Sequence, residues 1–210
     1  MSPRSLLLIS SAWLALLALT LTLSFLASAH NTLPGDVDVA TWIQDLPFLG
    51  TPISDLVRTI TETEVVLATG FAVVLILWLR GYRRQALMLA VGLVAMAALG
   101  AGLKQLVDRP RPDPALVDVR AGFSSSSFPS GHVTAGSFLY GTLLYFALTL
   151  PLPRLPRWIL TLVSLFFLVT VGPASVYLGV HWPSDVLGSW GWTLLLLILL
   201  VAAERSLFRA

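Results

Sequence analysis

Most of the side chains able to do chemistry fall in three short stretches, separated by long apolar runs. The first is Lys104-Gln-Leu-Val-Asp-Arg-Pro-Arg111-Pro112. The second is Phe128-Pro129-Ser130-Gly131-His132, which opens the apolar run at Val133. The third runs from Ala174-Ser175 to His181 and Asp185. In the second stretch, the leading N–H groups of a helix have no intrahelical partner and attract anions. Gly131 lets an anion approach the backbone, Ser130 adds a hydroxyl donor, and His132 can give a proton near neutral pH. The plainer alternative is an ordinary helix start with a His at the interface. In the third stretch, His181 and Asp185 share a face if the segment is helical. A carboxylate bonded to one ring nitrogen fixes the tautomer and leaves the other nitrogen free to attack or to take a proton. Alternatively, Asp185 is only the cap of the next helix. Lys104 and Arg111 supply cations. Two cations, a helix start and two histidines make a site for a phosphate attacked at phosphorus. Snorkelling at a span end is the alternative, and it explains Lys104 better than Arg111. The remaining histidine, His30, reads as solvated loop.

The elements that must position these residues can be read from composition. Of 210 residues, 56% are hydrophobic and only 11% charged, against about 25% charged in soluble domains. Mean hydropathy is +0.84. These values exclude a disordered chain, a nucleic-acid-binding domain and an ordinary cytosolic enzyme. The sequence pI is about 9.4. Yet the formal net charge is only +2, and the longest basic run is Arg83-Arg84, too little to neutralise the phosphates of a polymer. With no cysteine, disulfides, thiolate metal sites and Cys nucleophiles are excluded. An integral membrane protein remains.

A hydrocarbon core of about 30 Å needs roughly 20 apolar residues per helix. Ser5–Ala29, Val65–Leu79, Ala86–Leu103, Val133–Leu150, Trp158–Val176 and Val186–Ala203 meet or approach this. In lipid such runs must be helical. The expectation is an all-α polytopic fold, a six-transmembrane-helix bundle spanning 1–210 as one domain. Val65–Leu79 is short and is expected to gain a turn from Thr59–Glu64. Ser5–Ala29 has the rival reading of a secretory signal. Its apolar run, Leu6–Leu26, exceeds the about 7–15 residues usual for one, so it is read as a retained span. Six spans put both termini on the side of Arg4, Arg80, Arg83, Arg84, Arg154, Arg157, Arg205 and Arg209. That side is cytoplasmic by the positive-inside rule. All three polar stretches then face outward, in the loops 104–132 and 174–185. In the outer loop 30–61, Leu46, Leu49, Ile53, Leu56, Val57 and Ile60 recur at helical spacing, and Thr51-Pro52 reads as N-cap and first helical position. This predicts a short amphipathic interfacial helix, more simply packing over the bundle than a lid. Ser124–Ser127 is a low-complexity run.

The order of Lys104 to Arg111-Pro112, then Pro129-Ser130-Gly131-His132, then His181 to Asp185, resembles the type 2 phosphatidic acid phosphatase superfamily. The six-span layout extends the resemblance over nearly the whole chain. It implies phosphate-binding roles for Lys104, Arg111, Ser130, Gly131 and His132. His132 is also implied as general acid, His181 as the nucleophile forming a phosphohistidine, and Asp185 as its orienting partner. It further implies no metal and no cofactor. The implied partner is a lipid phosphate entering laterally from the bilayer of the plasma membrane. That lipid would be of the undecaprenyl diphosphate, phosphatidylglycerophosphate or phosphatidic acid class; nucleic acid is not a partner. The family's third motif has Ser-Arg where this chain has Ala174-Ser175. Ser175 thus matches a phosphate-binding position without its charge. A hydrogen bond to a charged group contributes about 1.5–3 kcal/mol, roughly tenfold to over a hundredfold in rate. Arg109 and Arg120 are the expected compensators. A binder or transporter with a weakened site is the alternative function, and a phosphotransferase using the same phosphoenzyme is another.

Overall fold

The computed structural model describes residues 3–47, 50–123 and 125–207. Leu49, Ser124 and Arg209, named above, lie outside them. The described residues form eight helices and no strand: α1 (Pro3–Ala29), α2 (Asp36–Gln44), α3 (Thr51–Ile60), α4 (Thr63–Leu79), α5 (Arg83–Val107), α6 (Gly131–Thr149), α7 (Arg154–Tyr177) and α8 (Pro183–Leu207).

Four of these, α1, α5, α7 and α8, are each long and apolar enough to cross a bilayer. The pair α3 and α4, bent by 52°, adds a fifth if counted as one span. The chain is therefore a multi-pass membrane protein. The expected sixth span, α6, does not stand out in hydropathy. It carries Gly, Thr and Ser between its apolar residues, and twelve of its nineteen residues are buried. Its neighbours α4, α5, α7 and α8 enclose it, so it faces protein rather than lipid and its polar groups are tolerated. By contrast Leu7, Leu8, Leu14, Leu19 and Phe25 of α1 are exposed, as a lipid-facing surface requires.

Lipid is as apolar as a leucine side chain, so close packing and interhelical hydrogen bonds hold such bundles together. The core joins Leu89 and Leu93 of α5, Phe138, Leu139 and Phe146 of α6, and Phe167 and Val171 of α7. The Tyr140 and Phe167 rings stack with centroids 4.2 Å apart. Trp13 Nε1 donates to Leu195 O at 3.3 Å and Trp192 Nε1 to Ser24 Oγ at 3.1 Å, tying α1 to α8. Within the described residues, α1 thus packs against α8.

Two local expectations need correction. The segment Thr59–Glu64 does not simply extend α4. Thr61 Oγ1 bonds back to Val57 O at 2.8 Å, Glu62 is extended at φ −55° and ψ 139°, and α4 begins at Thr63. The N-cap of α3 is Gly50, which puts Thr51 first and Pro52 second in the helix. The outer loop also holds a second helix, α2, beyond the one its apolar spacing predicts. In keeping with the expected packing over the bundle, α3 packs along α7. The α3–α4 bend lies against α6, where a Cβ on Gly136 would come within 2.7 Å of Thr61 Cγ2. Only glycine allows that approach.

Candidate active site

The C-terminal ends of α5 and α7 and the N-terminal ends of α6 and α8 meet at one end of the bundle. Ser130 is the N-cap of α6, its Oγ accepting from Val133 N at 3.4 Å. Its own N–H donates to Ser189 Oγ of α8 at 2.9 Å, and Ser189 Oγ donates to Asp185 O at 2.7 Å. The start of α6 is thereby clamped to the first turns of α8. Asp185 sits third in α8 and reaches back to accept from Trp182 N at 2.8 Å, as the third residue of a capping box does. After α7, Gly179 turns the chain at φ 67° beneath the Asp118 carbonyl, which any Cβ would strike. That turn delivers His181.

His181 is 2% exposed. Its Nε2 lies 3.0 Å from Arg111 Nη1. An arginine can only donate, so Nε2 carries the lone pair and the ring proton is on Nδ1. Nδ1 faces Asp185 Oδ2 at 3.6 Å and Ser127 Oγ at 3.5 Å. Both distances are longer than a good hydrogen bond, because Ser127 Oγ itself donates to Asp185 Oδ2. His181 precedes α8 rather than sharing a helical face with Asp185; the turn at Trp182-Pro183 brings them together. Burial, above all, holds the His181 imidazole down at about 4, against the raising effect of Asp185. Arg111 and Lys104 push it the same way as burial. His181 is therefore neutral at pH 7, the state a nucleophile needs.

Lys104 Nζ donates to Ser125 Oγ at 3.1 Å and Ser126 O at 3.4 Å. Arg111 donates from Nε to Ser125 O at 2.9 Å, from Nη1 to Val180 O at 2.6 Å, and from Nη2 to Ser125 Oγ at 3.2 Å. All these acceptors are neutral. Burial first of all lowers the Arg111 guanidinium to about 10; Asp185 opposes this and Arg58 adds to it. The His132 ring stands edge-on to Phe123 with centroids 5.9 Å apart. It lies within electrostatic reach of His181, Arg58, Arg111 and Lys104. Lys104, Arg111, His132 and His181 thus converge, with Asp185 behind His181. Gly131 opens α6, and a Cβ there would meet only Thr63 Oγ1 at 3.6 Å. Ser130 is fully buried as a cap. Ser175 lies on the wall of a cleft shared with Val57, Arg58, Thr61, His132 and Val171. Its Oγ bonds back to Val171 O at 2.8 Å.

Neither expected compensator for Ser175 points there. Arg109 is buried, donating from Nη1 to Asp185 Oδ1 at 2.6 Å and Ser184 Oγ at 2.7 Å, and from Nη2 to Asp36 Oδ2 at 2.8 Å. Two buried carboxylates draw it inward. Arg120 pairs with Asp118 at 3.1 Å, and its guanidinium carbon lies 4.1 Å from the centroid of the Tyr177 ring. Sequence reasoning missed Asp36, Arg58, Phe123, Ser127 and Ser184. A lone acid opening a helix, a serine in a serine-rich run and an arginine on an amphipathic helix carry no signal until the fold brings them in.

The sequence profile of the PAP2 superfamily matches residues 85–208. Phosphatidylglycerophosphatase B of Bacillus subtilis (strain 168) is 34% identical over 108 residues, 51% of this chain and 52% of that one. The matched stretch therefore spans about half the length of this curated relative. The crystal structure of "the first transmembrane PAP2 type phosphatidylglycerolphosphate phosphatase from Bacillus subtilis" has a similar fold, with a TM-score of 0.77. It covers 94% of this chain and 98% of that one at 23% identity. Since the profile takes in more than half of the chain and all three polar clusters, this membrane protein belongs to the PAP2 superfamily.

Proposed function

We propose that this chain is a membrane lipid phosphatase that removes the terminal phosphate of a lipid phosphomonoester or diphosphate. The observation that carries the reading is the pair Lys104 and Arg111. Both cations are held only by neutral oxygens, beside a neutral His181 whose Nε2 lone pair faces Arg111. Such a site is short of one anion and supplies a nucleophile beside it.

In this reading, Lys104, Arg111 and the amides that open α6 hold the phosphoryl oxygens. Nε2 of His181 attacks phosphorus, and the bond from phosphorus to the lipid oxygen breaks. His132 gives that oxygen its proton. Water then attacks the phosphohistidine, His132 takes the water's proton, and inorganic phosphate leaves with His181 regenerated. Asp185 and Ser127 hold the Nδ1 proton side of His181. Ser130 fixes the helix start, and Gly131 leaves its backbone open. Charge on the transferring group is neutralised by cations, so no divalent metal is required.

The proposed topology has six spans, α1, α4, α5, α6, α7 and α8. Both termini are cytoplasmic and the site is at the outer face of the plasma membrane, in keeping with the arginines at the opposite helix ends. The relative's name favours phosphatidylglycerophosphate within the substrate class, ahead of undecaprenyl diphosphate and phosphatidic acid. A binder without turnover is the second reading, and Ser175 is the residue that favours it. The test is phosphate release from these three lipids by detergent-solubilised protein in excess chelator. Release from at least one lipid is expected. No release from any, with or without Mg²⁺, would leave the binder.

A further inference from the structure

The cleft that contains Ser175 also contains an arginine that neither the sequence motifs nor the family resemblance brings forward. Arg58 sits in the last turn of α3, and it lines the cleft together with His132 and Ser175. Its guanidinium carbon lies 4.0 Å from the centroid of the Phe123 ring. The Arg111 guanidinium lies 4.5 Å from that same centroid, and His132 meets the ring edge-on at 5.9 Å. One aromatic ring thus gathers two arginines and a histidine. Among the described residues, Arg58 has no carboxylate partner in the hydrogen bonds and ion pairs, whereas Arg109 has two and Arg120 has one.

The backbone that carries Arg58 is fixed rather than loose. Val57 and Thr61, on either side of it, are fully buried. Thr61 touches the place where Gly136 of α6 leaves room, and α3 packs along α7, the helix of Ser175. Two guanidinium groups beside one ring repel each other. The Phe123 ring offsets part of that repulsion, and an anion within reach of both would relieve the rest. A plainer role, completing the negative C-terminal end of α3, accounts for a cation at this position. It does not account for the cation's turning into the cleft.

We propose that Arg58 is the third phosphate-binding cation of this site, reaching from α3 across the cleft to the position that Ser175 leaves uncharged. The inference rests on the phosphatase reading of the site, and α3 becomes part of the phosphate pocket as well as packing. Arg58 can offer two parallel N–H donors to two phosphate oxygens, which Ser175 cannot.

The test measures vanadate affinity by calorimetry on the purified full chain, alongside turnover of an aryl phosphate. Arg58→Gln should weaken vanadate binding about tenfold to a hundredfold. Arg58→Lys should weaken it less, and Arg120→Ala should leave it unchanged. Ser175→Arg should restore affinity in the Arg58→Gln background and give no gain in the parent, where the position is already served. Unchanged vanadate affinity in Arg58→Gln overturns the proposal. Should that variant melt before it can be measured, Ser175→Arg in the parent decides: a tighter vanadate complex there means the position stood empty, and the proposal falls. Because vanadate affinity is read without turnover, the two readings fail separately. Full turnover in His181→Ala would sink the phosphatase mechanism, whatever Arg58 does to binding.

Discussion

Arg109 and Arg111 are separated by a single proline and end in opposite circumstances. Arg109 is buried between Asp36 and Asp185, with Ser184 Oγ as a third partner. Arg111 is half-buried and donates to Ser125 O, Val180 O and Ser125 Oγ, none of them charged. The first charge is balanced inside the protein: Asp36, one of its two partners, also accepts from Leu33 N at 2.8 Å and from Ser184 N at 3.0 Å. The second is a cation whose full counter-charge the protein does not provide. Equal residue types therefore do different things. A compensated buried arginine joins α2, the post-α5 loop and α8 into one frame. In the proposed function, an uncompensated one beside His181 is kept for an anion.

His181 stands where the two regions touch, and its replacement should have the largest effect. His181→Ala should lower phosphate release by about a thousandfold or more on both a lipid and an activated aryl phosphate, since a nucleophile's loss is rarely made good by its neighbours. His132→Ala should be nearly as damaging on the lipid but milder on the aryl phosphate, whose leaving group needs no proton. Equal losses on both substrates in His132→Ala would remove it from the acid's role.

The frame is tested next. Arg109→Met should destabilise the protein by about 3–5 kcal/mol, because it strands two buried carboxylates. Thermal melting in detergent reads this directly. A melting temperature equal to the parent's would mean that Arg109 is not what holds that network together. Arg111→Ala should show the converse. Melting should be nearly unchanged, while kcat/KM falls by about tenfold to a hundredfold, the worth of a charge-assisted contact. If both variants lost stability and neither lost phosphate affinity, the distinction between the two arginines would collapse.

The smallest effect concerns acid. An unfolded chain's imidazole takes up a proton near pH 6.5, while folded His181 resists protonation down to about 4. Between those values the unfolded state binds more protons, so stability falls as pH falls. At most this amounts to about 1.4 kcal/mol per pH unit. Melting from pH 7 to 4.5 should therefore decline less steeply in His181→Phe than in the parent. The same depression means that activity lost between pH 7 and 5 does not come from protonating His181.

The features legible in the chain were local. Apolar runs named the spans of α1, α5, α7 and α8, because lipid forces any such run to bond its own backbone. The order of the three polar clusters carried the family. The same reasoning was weaker for α6, whose Ser and Thr residues are tolerated only because other helices surround it. It failed at Thr59–Glu64, where no Gly or Pro marks the break and a threonine's bond to its own helix helps to end it.

The sequence by itself determined the chemical inventory, a membrane-embedded helical chain with cations, two histidines and an acid brought toward one end by spans of fixed length. Helix periodicity and bilayer thickness suffice for that, since each acts over a single segment. Only the tertiary structure decided which arginine faces inward. The chain leaves α5 through Asp108 in the left-handed region at φ 42°, and its onward course is set by partners distant in sequence. Ser184 and Asp36, 148 residues apart, must meet before Arg109 has a place to go. Likewise Arg58 reaches the cleft because α3 is packed on α7 and bent from α4. The direction of a long charged side chain is settled by where opposite charge is buried, and burial belongs to the assembled bundle rather than to any stretch of it.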